Sequence, residues 1–452
     1  MLLPLLAAAP QDRMLLDLAA TCYWNLDATD AGLQLMRIVA DTGPKDAAAW
    51  GRLGAMCLAA GDRDGAIQAF ETLLSLRPRN VPALASLNRL RPFAPDSARA
   101  RTLRDLARAK KTQASDRTLA LNAIGRIEAA SGNHHRAFRA FRQAKALAPP
   151  PYPAAAIDAH VDGQIATFDP ARWPAPHRAP DSAEPRLFFI VGLPRSGTTL
   201  VEAILSRHPK VRSIGEHPVL QDLLADLRRA AVRRTGTLPP DQTSWDWFRA
   251  LTPDDLARHR TAFYARARIA LPAPDRIVVN KLPLNLFDLG FAHCLLPEAR
   301  FVFMLRHPLD TGLSCLSTHF GSPQAFSYSL DRIAHMTLAA HRSLDDYATK
   351  LGPMLRQQSY RALVEDPEPQ IRALVAHAGL DWDPACLTPE DAAGAVRTAS
   401  ALQVREQINR RGLDTWRSHV DDLSPLVSAL GGSDWLTGWE ARDKQATEAG
   451  PP

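Results

Sequence analysis

Two hydrophobic rhythms divide this chain. In its first third, large apolar residues and small ones recur at a long fixed interval, the mark of stacked helix pairs. Beyond residue 185 the pattern changes to short unbroken apolar runs: LFFIVG at 187–192, IVVN within 276–287, and FVFML at 301–305. Such runs fit strands covered on both faces of a parallel sheet. The first is followed by LPRSGTT and then LVEAILSRH, whose apolar positions return at helical spacing, so strand, glycine loop and helix follow in order. The last ends at Arg306, turns at His307-Pro308, and enters a helix with Pro308 near its first position.

The interval in the first third is 34 residues, since Pro44 and Pro78 fall in the same phase. Between them, Trp50, Leu53, Gly54, Ala66, Phe70 and Pro78 resemble a tetratricopeptide repeat, W-x2-L-G, then A-x3-F, then P. A second copy carries Gly125, Ala137, Phe141, Ala144 and Pro149, and the stretch between, about 81–117, reads as a degenerate repeat. One such unit cannot bury its own apolar face, whereas stacked units can. The expected architecture is therefore an α-helical tetratricopeptide domain over residues 1–150, then an α/β domain with a central parallel sheet over 185–435. Residues 151–184, dense in proline, read as a stiff linker without continuous helix, and 436–452 as a C-terminal tail.

Composition narrows the class. Hydrophobic residues at 46% and charged residues at 23% suit a globular protein, and no stretch reaches the length of a membrane span. MLLPLLAAAP has no Lys or Arg ahead of its apolar core, so it reads as a first helix rather than a secretion signal. Five scattered cysteines without metal-ligand spacing imply reduced, buried thiols in a cytoplasmic protein. The net charge of +6 permits an anionic ligand, but no dense basic run with interleaved aromatics points to nucleic acid.

The loop at 192–200 carries the chemistry. Gly192-x4-Gly197 has the spacing of a nucleotide-phosphate loop, yet Thr198 stands where such a loop has lysine. That argues against phosphoryl transfer with magnesium; Arg195 supplies the positive charge, and its planar fork suits a tetrahedral anion. PRSGTT after an apolar strand resembles the 5′-phosphosulfate loop of sulfotransferases. The resemblance implies 3′-phosphoadenosine 5′-phosphosulfate as donor, no metal, and contacts from Arg195, Ser196, Gly197, Thr198 and Thr199. A donor with a separate 3′-phosphate needs a second anion site. Arg306 and Ser314, eight residues apart after an apolar strand, resemble the family's 3′-phosphate motif.

Four further positions follow from a closer resemblance, to the tyrosylprotein sulfotransferases, over about residues 186–430. Glu216 in SIGEHPVL matches their catalytic glutamate, with His217 as the other candidate base, and Lys281 matches the lysine that stabilises the leaving oxygen. Ser400 matches a serine near the transferring group, and Tyr360 an adenosine-side tyrosine, although Arg361 replaces the usual acidic residue after it. Arg405 and Arg410-Arg411-Gly412 are placed to cover the 3′-phosphate. Thr318 stands where those enzymes have arginine, so the acceptor cannot be carried over; its pocket is expected from loops at 220–275 and 318–350. The implied activity is sulfuryl transfer to a hydroxyl of a protein, peptide, glycan or small molecule, with the repeats holding a peptide, a partner or a second copy. A P-loop kinase or nucleotide triphosphatase, and a repeat-based adaptor with an inactive second domain, are the alternatives.

Overall fold

The computed structural model describes residues 9–26, 28–170, 184–235, 248, 251–271, 273, 276–320, 324–392, 400 and 403–448. The proposed first helix at residues 1–10 therefore falls largely outside the described residues. The chain begins with helices α1 (Arg13–Asn25), α2 (Thr29–Thr42), α3 (Ala47–Ala60) and α4 (Arg63–Leu76). It continues through α5 (Val81–Leu90), α6 (Ala98–Arg108), α7 (Ala114–Ala130) and α8 (His134–Ala146).

Local chemistry sets the turns. The Asp46 side chain accepts the amides of Ala48 and Ala49 to start α3, and Gly61 ends it at φ 87°, where a side chain would be strained. Asp62 then caps α4 through the Gly65 amide. Both sequence copies fold as a packed helix pair with the same internal contact. A Cβ on Gly54 would lie 2.6 Å from Phe70 Cε1, and one on Gly125 would lie 2.4 Å from Phe141 Cε1. Glycine at that phase thus lets a phenylalanine of the second helix sit directly on the backbone of the first.

After the helical domain come α9 (Ala154–Thr167), β1 (Arg186–Gly192), α10 (Thr198–Ser206), β2 (Val211–Ser213), α11 (Val219–Thr235), α12 (Pro253–Arg266) and β3 (Ile277–Lys281). Then follow α13 (Leu289–Leu295), β4 (Arg300–Leu305), α14 (Pro308–Ser317), α15 (Leu330–Leu351) and β5 (Leu355–Ser359). The described chain closes with α16 (Tyr360–Glu365), α17 (Pro367–His377), α18 (Val420–Leu430) and α19 (Gly432–Glu448).

The five strands form one parallel sheet in the order β2-β3-β1-β4-β5. Its central strand alternates between two cores: Leu187, Phe189 and Val191 face one cluster, Phe188 and Ile190 the other. The helices after β1 and β4 leave on opposite faces, since Val201 and Ile204 of α10 belong to the second cluster and Leu309 and Leu313 of α14 to the first. A crevice at the carboxyl ends of adjacent strands whose connections diverge is where open α/β sheets bind ligands.

Three expectations need correction. The segment read as a linker without helix contains α9, because the prolines stop at Pro153 and the next fourteen residues have none. This helix packs on the C-terminal domain, with His160 Nε2 at 3.1 Å from Asp288 Oδ1 and Gln164 Nε2 donating to Ser343 Oγ at 3.1 Å. Residues read as a tail belong to α19, which buries Trp439 and Ala446. The stretches expected to be acceptor loops hold the helices α11, α12 and α15. Cys57, Cys294, Cys315 and Cys386 are buried free thiols as expected, whereas Cys22 is exposed.

Candidate active site

The loop between β1 and α10 is built on glycines in conformations other residues avoid. Gly192 has φ 141° and Gly197 φ 107°, and Arg195 itself is left-handed at φ 74°. This turn carries Ser196, Thr198 and Thr199, all buried, to the N-terminus of α10, where helix amides favour an anion. The Ser196 hydroxyl is buried and has no hydrogen-bond partner.

Arg195 reaches across the crevice. Its Nε donates to Ser314 Oγ on α14 at 3.0 Å, one Nη donates to Ser400, and the other donates to Gln403 Oε1 at 2.6 Å. Arg306, at the end of β4, donates from Nη1 to the Arg195 carbonyl at 2.5 Å and from Nη2 to the Gly412 carbonyl at 2.7 Å. Its Nε is buried without a partner, and its guanidinium lies 5.0 Å from the centre of the Tyr360 ring. Thus Arg195, Arg306, Ser314, Tyr360 and Ser400, separated widely in sequence, share one cleft of about 670 Å³ with Gly197, Thr198 and Thr199. That volume is within the usual range for small-ligand sites, roughly 300–1,000 Å³.

The cleft is cationic. Burial lowers the Arg195 pKa to about 10, and the neighbouring Arg306 and Arg89 push it the same way. Among the described residues neither Arg195 nor Arg306 has a carboxylate partner.

Glu216 and Lys281 stand apart from that cleft's walls. They form an ion pair of 2.5 Å at the carboxyl end of β3, and Glu202 of α10 lies 3.5 Å from the same ammonium. Glu202 is one turn after Thr198 on α10, so the pair flanks the first turn of that helix. Lys281 is buried in this arrangement, whereas Glu216 is half-exposed. Asn280 sets the geometry, donating from Nδ2 to the carbonyls of Gly215 and His217, both at 3.1 Å.

Sequence reasoning missed Asn280, Glu202 and Asp310. Asp310 is buried on α14 and accepts the Asp414 amide at 2.9 Å, the Trp416 amide at 3.0 Å and the Thr415 hydroxyl at 2.5 Å. It thereby holds the strap that places Gly412 over Arg306. Arg361, the departure beside Tyr360, braces the same strap by donating to Asp414 Oδ1 at 2.8 Å. Of the arginines expected over the 3′-phosphate, Arg411 lines the cleft, while Arg405 packs against Gly61 of the helical domain.

Residues 185–384 match the family model described as Sulfotransferase family. The chain carries a sulfotransferase-family domain. Over 251 residues it is 31% identical to an uncharacterized protein of Aquifex aeolicus, covering 54% of this chain and 32% of that one. It is also 27% identical to the nodulation protein NoeE of Sinorhizobium fredii (59% of this chain, 69% of that one) and 25% identical to protein-tyrosine sulfotransferase 2 of Gallus gallus (55% and 70%). This chain thus spans about a third of the length of the Aquifex relative. Among solved structures, the sulfotransferase domain of the Synechococcus olefin synthase matches with a TM-score of 0.36 at 21% identity, covering 53% of this chain and 90% of that one. The loop at 192–199 and the Arg306–Ser314 segment both lie inside the sulfotransferase domain, and the kinase alternative is not favoured.

Proposed function

We propose that the protein moves a sulfuryl group from 3′-phosphoadenosine 5′-phosphosulfate to an acceptor hydroxyl. The observation that carries this reading is the joining of Arg195 and Arg306 in one cleft by a direct hydrogen bond, with Ser314 on Arg195 and Tyr360 on Arg306. The buried Ser196 hydroxyl and Arg306 Nε, both without partners, fit a ligand rich in acceptor oxygens.

The donor supplies the activated sulfuryl group. The loop from Arg195 to Thr199 receives its 5′ end, and Arg306 with Ser314 its 3′-phosphate. Tyr360, packed against Gly197, lies on the adenosine side. The acceptor oxygen forms a bond to sulfur while the bond from sulfur to the phosphate oxygen breaks. The electron pair stays on that oxygen in 3′,5′-adenosine bisphosphate, and the hydroxyl proton passes to Glu216. For this, Glu216 must part from Lys281, whose ammonium then serves the oxygen that leaves; Glu202 keeps it in place. Such stabilisation of developing charge in a water-poor site is the largest lever this chemistry has. Ser400, held by Arg195, sits where it can orient the transferring group.

The acceptor is a hydroxyl on a protein, peptide, glycan or small molecule. The test is incubation with donor carrying labelled sulfate and a panel of such acceptors, followed by mass spectrometry. A product heavier by one SO3 with equimolar adenosine bisphosphate is expected. Label released only as free sulfate, or stabilisation by ATP with magnesium beyond that by adenosine bisphosphate, would contradict the reading.

A further inference from the structure

The cleft that holds Arg195 and Arg306 is not made by the sulfotransferase domain alone. Arg89, near the end of α5, and Arg126, on α7, line the same cavity from the helical domain. Among the described residues neither has a carboxylate partner. Arg126 makes two long contacts, donating from Nε to Asn122 Oδ1 at 3.3 Å and from Nη2 to the Ser317 carbonyl at 3.4 Å. Ser317 ends the helix that carries Ser314, three residues away, so the Arg126 side chain lies within about one helical turn of the proposed 3′-phosphate serine.

Four guanidinium groups without a carboxylate partner among the described residues therefore converge on one cleft, where Arg411 is paired with Glu406, and they feel one another. Burial lowers the Arg126 pKa to about 10, with Arg89 and Arg195 adding to the effect. Like charges gathered in one cleft cost stability, so their presence fits an anion that belongs between them. A phosphomonoester alone carries about −1.5 to −2 charges at pH 7, and the donor has a phosphosulfate besides. Two arginines leave such a ligand under-neutralised, whereas four match it.

We propose that the donor site is shared between the domains, with Arg89 and Arg126 of the helical domain contacting the anionic groups of a 3′-phosphorylated adenosine nucleotide held by Arg195 and Arg306. This rests on the sulfuryl-donor reading and gives the helical domain a part in binding the nucleotide as well as a scaffold role.

The experiment is calorimetric titration of the full chain with 3′,5′-adenosine bisphosphate, comparing wild type with R89Q, R126Q, R126K and R139Q. Arg139 lies on α8 away from the cleft and serves as the control. R89Q and R126Q should each weaken binding about tenfold or more, the loss of one charge-assisted contact. R126K should retain most of the affinity and R139Q all of it. Charge, not domain docking, is then the cause, because Asn122 Nδ2 still donates to the Ser317 carbonyl at 2.8 Å in R126Q. Unchanged affinity in R89Q or in R126Q overturns the assignment of that arginine, and unchanged affinity in both overturns the shared site. Wild type that fails to bind the bisphosphate sinks the sulfuryl-donor reading instead.

Discussion

Arg306 donates a hydrogen bond to the carbonyl oxygen of Arg195, 2.5 Å away, and so ties the end of β4 to a loop residue held at φ 74°. The guanidinium proposed to serve one end of the donor thus also fixes the backbone proposed to serve the other. Arg306→Ala should cost more than a single phosphate contact, because the loop loses its brace. Affinity for 3′,5′-adenosine bisphosphate is expected to fall by about a hundredfold or more, the upper part of the range for a charge-assisted bond. Calorimetry that finds wild-type affinity would remove Arg306 from the site.

Gly197 is held at φ 107°, and a Cβ there would lie 2.5 Å from Tyr360 Cδ2. Gly197→Ala should therefore destabilise the protein by about 1–3 kcal/mol, from backbone strain and overpacking together. Donor affinity should drop with it, since the displaced ring carries Arg306. In the double variant with Tyr360→Ala the overpacking part should disappear and the strain part remain, as read by chemical denaturation.

Glu216 and Lys281 should respond unequally to substitution. Removing the Lys281 ammonium by Lys281→Met leaves Glu202 and Glu216 facing an apolar side chain, at a cost of about 1–3 kcal/mol, since Glu216 is half-exposed and regains water. Glu216→Gln leaves Lys281 paired with Glu202, so folding and bisphosphate affinity should hold. Turnover should then fall by about 10²–10⁴-fold, the usual contribution of a positioned base. Retained turnover in Glu216→Gln would pass the proton to another group, His217 first.

Lys145 links the domains, donating to the Thr318 carbonyl and to Ser327 Oγ, both at 2.8 Å. Burial brings its pKa down from 10.5 to about 8. The folded protein then binds fewer protons at this site than the unfolded chain between those values, so stability contributed here rises with pH across that window and is lost as pH falls through about 8. Thermal unfolding of wild type should gain on Lys145→Met between pH 8 and 10. A constant difference over that range would contradict the assignment.

Much of this was legible in the chain because of how burial writes itself into sequence. β1 and β4 are covered on both faces, so their residues are apolar without alternation, and the loop between β1 and α10 needs glycine at 192 and 197 for positive φ. The Gly54–Phe70 and Gly125–Phe141 contacts were readable for the same reason, as small against large at fixed phase. Long-range pairings were not. Asp310 looks like an ordinary first-turn acid until the strap at 414–416 folds onto it. Arg89 and Arg126 look like solvated helix arginines until the helical domain docks on Ser317. The helix at 154–167 was hidden by the prolines on either side of it.

The most direct measurement compares 3′,5′-adenosine bisphosphate with adenosine 5′-monophosphate in calorimetric titrations of the wild-type chain. If the Arg306 side of the cleft receives a 3′-phosphate, the bisphosphate should bind at least about tenfold more tightly, the difference one or more charge-assisted bonds make. Equal affinity for the two nucleotides would contradict the account.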